Sequence, residues 1–172
     1  QPTMHRSPVT VPLIALSVAA VMMTTPPDKP FAFGQRTEPG LTWLALAPLY
    51  EAETAGSVRW SGKTFEAILQ GEVWRLFTPM FLHFGPLHLL FNMMWLKDLG
   101  GVIEVRRGRG RYLLLVLVIA GLSNAAQGVM SGPYFGGMSG VVFGLFGYVW
   151  MQSRYVPTSG FYMPPNVVML ML

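Results

Sequence analysis

The sequence predicts an all-α membrane protein, a polytopic helical bundle, and three observations carry that prediction. Charged residues fill only 12% of the 172 positions and hydrophobic residues fill 52%, whereas a soluble domain carries about 25% charged residues. Mean hydropathy is +0.43. Four apolar stretches reach or approach the roughly 17–25 residues that a helix needs to cross the hydrocarbon layer. The length suits one domain, residues 1–172. There is no cysteine, which excludes a disulfide framework and thiol chemistry. The twelve methionines are read mostly as lipid-facing or core residues, and no metal or organic cofactor is implied.

The first apolar stretch, 9–25, ends at Pro26-Pro27. Arg6 is the only basic residue near its start apart from His5, and its end lacks a small-x-small cleavage pattern, so it is read as a retained helix and not a secretory signal. Segment 26–85 follows, with apolar runs carrying Trp43, Trp60 and Trp74. Tryptophan favours the membrane–water boundary, so short helices on or in the outer leaflet are expected there. The second span covers 86–105, the third 112–130 and the fourth 139–152. A fifth apolar segment begins at 166 and stops at 172. Seven residues cannot span a bilayer and Gln1 is not an initiating residue, so the sequence reads as a C-terminally truncated piece.

Charge sets the expected orientation. Arg106, Arg107, Arg109 and Arg111 sit between the second and third spans, Arg6 precedes the first, and Arg154 follows the fourth. The positive-inside rule makes these places, and the N-terminus, cytoplasmic. Segment 26–85, with five basic and six acidic residues, and the uncharged turn 131–137 then lie outside. The net charge of +4 does not indicate a nucleic-acid partner, because the arginine cluster lies between two apolar spans.

Ser139 stands between glycines where the fourth span begins. Fourteen residues make a helix about 21 Å long, shorter than the roughly 30 Å hydrocarbon layer. If that helix ends at the inner surface, the turn before Ser139 dips into the membrane. Irregular backbone is tolerated there only when buried in protein or lining a water-filled cavity. Ser139 would then lie at the bottom of a cavity open to the outside, at a helix N-terminus that favours negative charge. Two plainer readings stand beside this one. Gly136, Gly140, Gly144 and Gly147 are spaced for close helix packing, and serine is an ordinary helix N-cap.

His83, His88 and Asn92 form a second constellation. His88 and Asn92 are four apart and share one helix face. Polar side chains in a membrane segment usually face the bundle interior or a cavity. They are read either as interhelical hydrogen-bonding groups or as functional groups. Taken together with Ser139 they suit acyl transfer, which needs a nucleophile and donors aimed at an oxyanion.

The stretches 71–96, 99–111 and 131–150, in this order and spacing and with a long outer segment, resemble the rhomboid family of intramembrane serine proteases, most closely its bacterial members. The resemblance covers nearly the whole chain. It implies a rhomboid-like bundle with four complete spans and the start of a fifth. It implies Ser139 as nucleophile, His88 and Asn92 as oxyanion donors, and His83, Gly137 and Phe143 as site support. Trp74-Arg75 and Glu104 match structural positions, and relatives often carry tyrosine where this chain has Phe143. It further implies cleavage of transmembrane protein substrates in the lipid bilayer, with the site open to the periplasmic side of a bacterial inner membrane. The family's general base is a histidine on a sixth span, and none of His5, His83 or His88 matches it. A serine without a base is a weak nucleophile, so the base is expected beyond Leu172 and the piece alone is expected to be inactive. The rival expectations are a catalytically inactive relative that binds membrane clients, and a transporter. The apolar run below Ser139 argues against the transporter.

Overall fold

A computed structural model describes residues 7–25, 39–51, 58–60 and 63–172. His5, Arg6 and Pro26-Pro27 lie outside the described residues, as do the expectations that rest on them.

Helix α1 (Thr10–Thr24) has no acidic residue in its first turn and no local side-chain cap. A distant residue supplies the cap. The Glu104 carboxylate accepts the Val9 N–H at 2.7 Å, the Thr10 N–H at 2.9 Å and the Thr10 hydroxyl at 2.8 Å. This puts negative charge at the positive end of the helix dipole. Ser17 and Thr24 donate back to the carbonyls of Leu13 and Ala20, so their buried hydroxyls need no external partner.

The outer segment contains the expected short helices: α2 (Pro39–Leu44), α3 (Glu66–Leu69) and two 3₁₀ turns, Val73–Leu76 and Thr78–Phe81. It also contains a small antiparallel hairpin. Strands β1 (Leu49–Glu51) and β2 (Val58–Trp60) pair Tyr50 with Arg59. Strands of three residues are too short to show a period of two, so the all-α reading passed over them. Arg75 fastens the segment. Its guanidinium pairs with Glu72 and donates to the carbonyls of Thr42 (2.6 Å) and Ala45 (2.9 Å). Thr78 Oγ1 donates to the Leu44 carbonyl at 2.8 Å, and Asn124 Nδ2 reaches the Leu76 carbonyl at 2.9 Å. Exposed Trp43 and Trp74 stack with centroids 5.7 Å apart.

The stretch expected as the second span is one unbroken helical run in three parts. Helix α4 (Pro86–Trp95) passes through a π turn (Leu96–Gly100) into α5 (Gly101–Arg107). Gly108, at φ 81°, reverses the chain into α6 (Arg109–Ser131). Helix α7 (Ser139–Tyr155) and the short α8 (Pro165–Met171) complete the chain. At one end His88 lies against Gly137; at the other Arg107 donates to Tyr148 Oη and Gln152 Oε1, both at 2.8 Å. The α4–α5 run and α7 are therefore parallel, with α6 returning between their ends.

Leu96, Ile103, Val116, Val141 and Leu145 form the centre of the core. Two glycines let α7 press against α6: a Cβ at Gly140 would overlap Ser123, and one at Gly144 would overlap Ile119. Nothing lies near Gly147, so the packing stripe is shorter than the sequence suggested. Helix α6, 23 residues and about 35 Å long, is the one described helix both long and apolar enough to cross a membrane, and only 28% of its apolar window is buried. The core helix of a soluble protein would be mostly buried. Here the exposed face is Leu114, Val118, Leu122 and Val129, a surface suited to lipid.

Removing the Glu104 carboxylate strips three donors of their acceptor. Glu104→Ala is expected to destabilise the fold by on the order of 3 kcal/mol, and Glu104→Gln by less. Unfolding curves in mild detergent check this, and equal stability of wild type and Glu104→Ala would remove the cap from the account.

Candidate active site

Three elements converge around Ser139. The loop 132–138 between α6 and α7 is irregular and tied to the outer segment. Gly137 N–H donates to the Pro79 carbonyl at 3.0 Å, and Met138 N–H to His83 Nε2 at 3.4 Å. Gly136 packs where a Cβ would overlap Leu82. Gly137 is required twice. Its φ is +127°, which side chains rarely adopt, and a Cβ there would stand 2.7 Å from His88 Nε2.

The N-cap position of α7 falls on Met138, and no side chain caps the helix. Ser139 is thus the first helical residue and not the cap that one reading of the sequence allowed. Its hydroxyl makes no hydrogen bond to the described residues. It opens into a cavity of about 310 Å³ shared with His88, Asn92, Trp95, Phe143 and Met171. Helix α7 runs to Tyr155, beyond the expected end at 152, and is about 26 Å long. The argument from a short helix for a submerged Ser139 weakens accordingly.

His88 stands in the first turn of α4 and Asn92 one turn on. His88 Nδ1 accepts the Phe84 N–H at 3.4 Å, which assigns the ring proton to Nε2, the nitrogen facing Gly137. The would-be Cβ of Gly137 marks a point 2.7 Å from His88 Nε2 and 3.6 Å from Ser139 Oγ. Asn92 is buried, and its Nδ2 donates one hydrogen to the His88 carbonyl at 2.8 Å. The second amide hydrogen remains for the cavity that Asn92 lines.

His83 does not line the cavity. It is fully buried behind His88, with ring centroids 5.1 Å apart. Nδ1–H donates to the Phe81 carbonyl at 3.0 Å and Nε2 accepts from Met138. Burial pushes its pKa down to about 4, reinforced by His88 and opposed by the bond to Phe81, so the ring is neutral at pH 7.

Of the residues singled out in the sequence, Ser139, His88, Asn92 and Phe143 meet in one cavity, with Gly137 at its edge and His83 supporting it from behind. The Pro79 carbonyl, Trp95 and Met171 were not foreseen; a backbone acceptor leaves no mark in a sequence. Lys97 and Asp98 were also passed over. Both line a larger cavity, about 630 Å³, between α1 and α4. Two charges inside an apolar stretch were the signal for them.

The class defined by this arrangement is a helical bundle with a lipid-suited exterior and a serine, a histidine and an asparagine lining a largely apolar cavity. The Rhomboid domain family matches residues 70–172, and the chain belongs to the rhomboid family. Over 113 residues it is 43% identical to the protein named Rhomboid protease GlpG of Salmonella choleraesuis (strain SC-B67), and 42% identical to its counterparts in Salmonella newport (strain SL254) and Salmonella heidelberg (strain SL476). The alignment covers 66% of this chain and 41% of each relative, so the chain spans less than half the length of these proteins.

The depressed pKa of His83 fixes a pH dependence. An unfolded histidine takes a proton below its ordinary 6.5, the folded one only near 4. The contribution is complete above 6.5 and is lost as pH falls toward 4, by on the order of 3 kcal/mol. Unfolding at pH 7 and pH 5 measures it. His83→Gln should flatten that difference; an undiminished slope in the variant would assign it to other groups.

Proposed function

We propose that residues 1–172 form the core of an intramembrane serine endopeptidase that cleaves transmembrane segments of other membrane proteins. One observation carries this reading: Ser139, His88 and Asn92 line one cavity of about 310 Å³. A scissile carbonyl entering that cavity would meet a nucleophile and two side-chain donors.

In the proposed reaction Ser139 Oγ attacks the carbonyl carbon. His88 Nε2–H, Asn92 Nδ2–H and backbone N–H groups at the start of α7 stabilise the oxyanion. The proton of Ser139 needs a base. His83 is unsuited, since both its nitrogens are engaged and its pKa is low. His88 keeps its proton on the nitrogen that faces the cavity. The base in this reading is a histidine outside residues 1–172, forming a Ser–His dyad, and the piece alone is inactive. Phe143 supplies an apolar wall. In this reading the water that hydrolysis needs enters through the cavity.

The proposed topology has four complete spans, α1, α4–α5, α6 and α7, with α8 beginning a fifth. The N-terminus and the arginines after α5 face the cytoplasm of a bacterial inner membrane, and the cavity opens to the periplasm. Parallel α4–α5 and α7, both with arginines in their last turn, support this orientation.

The test uses the protein expressed from its complete coding sequence. A fluorophosphonate probe should label wild type and not Ser139→Ala; equal labelling, or none in either, overturns the reading in favour of an inactive, client-binding relative. Asn92→Ala should lower kcat by about 10²-fold. Gly137→Ala should abolish cleavage of a model transmembrane substrate by pushing His88 aside, and retained activity would remove Gly137 from the site.

A further inference from the structure

A second built surface lies at the opposite end of the bundle from Ser139. Between α5, α6 and α7 runs a groove of about 300 Å³. Its two ends differ in chemistry. Arg107, Arg111 and the Tyr148 hydroxyl form one end; Leu114, Leu115 and Val118 form the other. Along α6 the distance from Arg111 to Val118 is about 10 Å.

The arginine end is organised. Arg107 Nε donates to Tyr148 Oη and Nη2 to Gln152 Oε1, which fixes the plane of the guanidinium. The face of that plane lies 5.2 Å from the Phe161 ring centroid, and Arg106 shares the same ring at 5.4 Å. Neither Arg107 nor Arg111 makes an ion pair among the described residues. The nearby acid in sequence, Glu104, is buried and spent on α1. Two cations therefore flank a largely apolar groove with no ion-pair partner among the described residues. Leu114 and Val118, at the apolar end, are exposed among the described residues on the lipid-suited face of α6.

We propose that this groove binds one anionic phospholipid, its phosphate held by Arg107 and Arg111 and an acyl chain laid along Leu114, Leu115 and Val118. Charge complementarity selects the occupant. Guanidinium groups match phosphate oxygens through paired N–H donors. A basic pocket between membrane helices, continuous with an apolar channel, is the form an anionic lipid site takes. A free phosphate would leave the apolar half unused, and a neutral lipid would leave the cations unpaired. The orientation proposed above decides only which leaflet supplies the lipid. The site itself does not depend on Ser139 or on proteolysis.

The experiment titrates phosphatidylglycerol into the purified protein, expressed from its complete coding sequence, in mild non-ionic detergent, with phosphatidylcholine as comparator, and reads bound lipid by native mass spectrometry. One phosphatidylglycerol should be retained in preference to phosphatidylcholine. Arg111→Gln, which breaks no bond within the protein, should weaken retention about fivefold. Val118→Trp, which fills the acyl channel, should weaken it comparably, while Arg109→Gln, outside the groove, should change it less than about twofold. Equal losses from Arg109→Gln and Arg111→Gln would overturn the proposal in favour of diffuse attraction. Absence of preference over phosphatidylcholine would also overturn it. So would competition by millimolar inorganic phosphate together with an inert Val118→Trp, which would leave a phosphate site only.

Discussion

The seven residues 132–138 impose the constraint on which the site depends. They are irregular backbone at one end of a bundle with a lipid-suited exterior, where an unpaired N–H or C=O is costly. The loop meets that demand by bonding sideways. Gly137 N–H goes to Pro79, Met138 N–H goes to His83, and Gly136 lies flat on Leu82. The 3₁₀ turn and residues that follow it, 78–83, are thus the template for the loop that presents Ser139. In the same way the fixed ring of His83 positions both the loop and, through ring contact, His88.

Several other buried polar groups are satisfied by elements distant in sequence. Glu104 caps α1, Arg75 gathers the carbonyls after α2, and Asn124 ties α6 to the 73–76 turn. An apolar exterior supplies little hydrophobic drive between helices in lipid, so close glycine contacts and such cross-links hold the bundle. Together they define the outer segment as a fastened part of the fold.

The apolar runs made the helices legible, and among the described helices α6 alone is both long and apolar enough to cross a membrane. The four-residue spacing of His88 and Asn92 placed them on one face, and the structure puts both on the cavity. Other features left no local mark. The hairpin is too short for periodicity, and the Val9 and Thr10 amides reveal nothing of a cap ninety-four residues away. The serine was legible as a helix start, but only coordinates separate capping from pointing into a cavity. The glycines were read as one stripe; the structure divides them, with Gly140 and Gly144 against α6, Gly136 against Leu82 and Gly147 against nothing.

The π turn at 96–100 gives the second span a fixed phase. Above it, His88 and Asn92 look toward α7; below it, Glu104 looks toward the start of α1. One residue of helix corresponds to about 100° of rotation. A single insertion or deletion between those two halves would turn one of them away from its partners, with every residue individually preserved. The run 86–107 therefore accepts exchange of side chains far more readily than a change of length. Its residue count couples the outer cavity to the anchoring of the first helix.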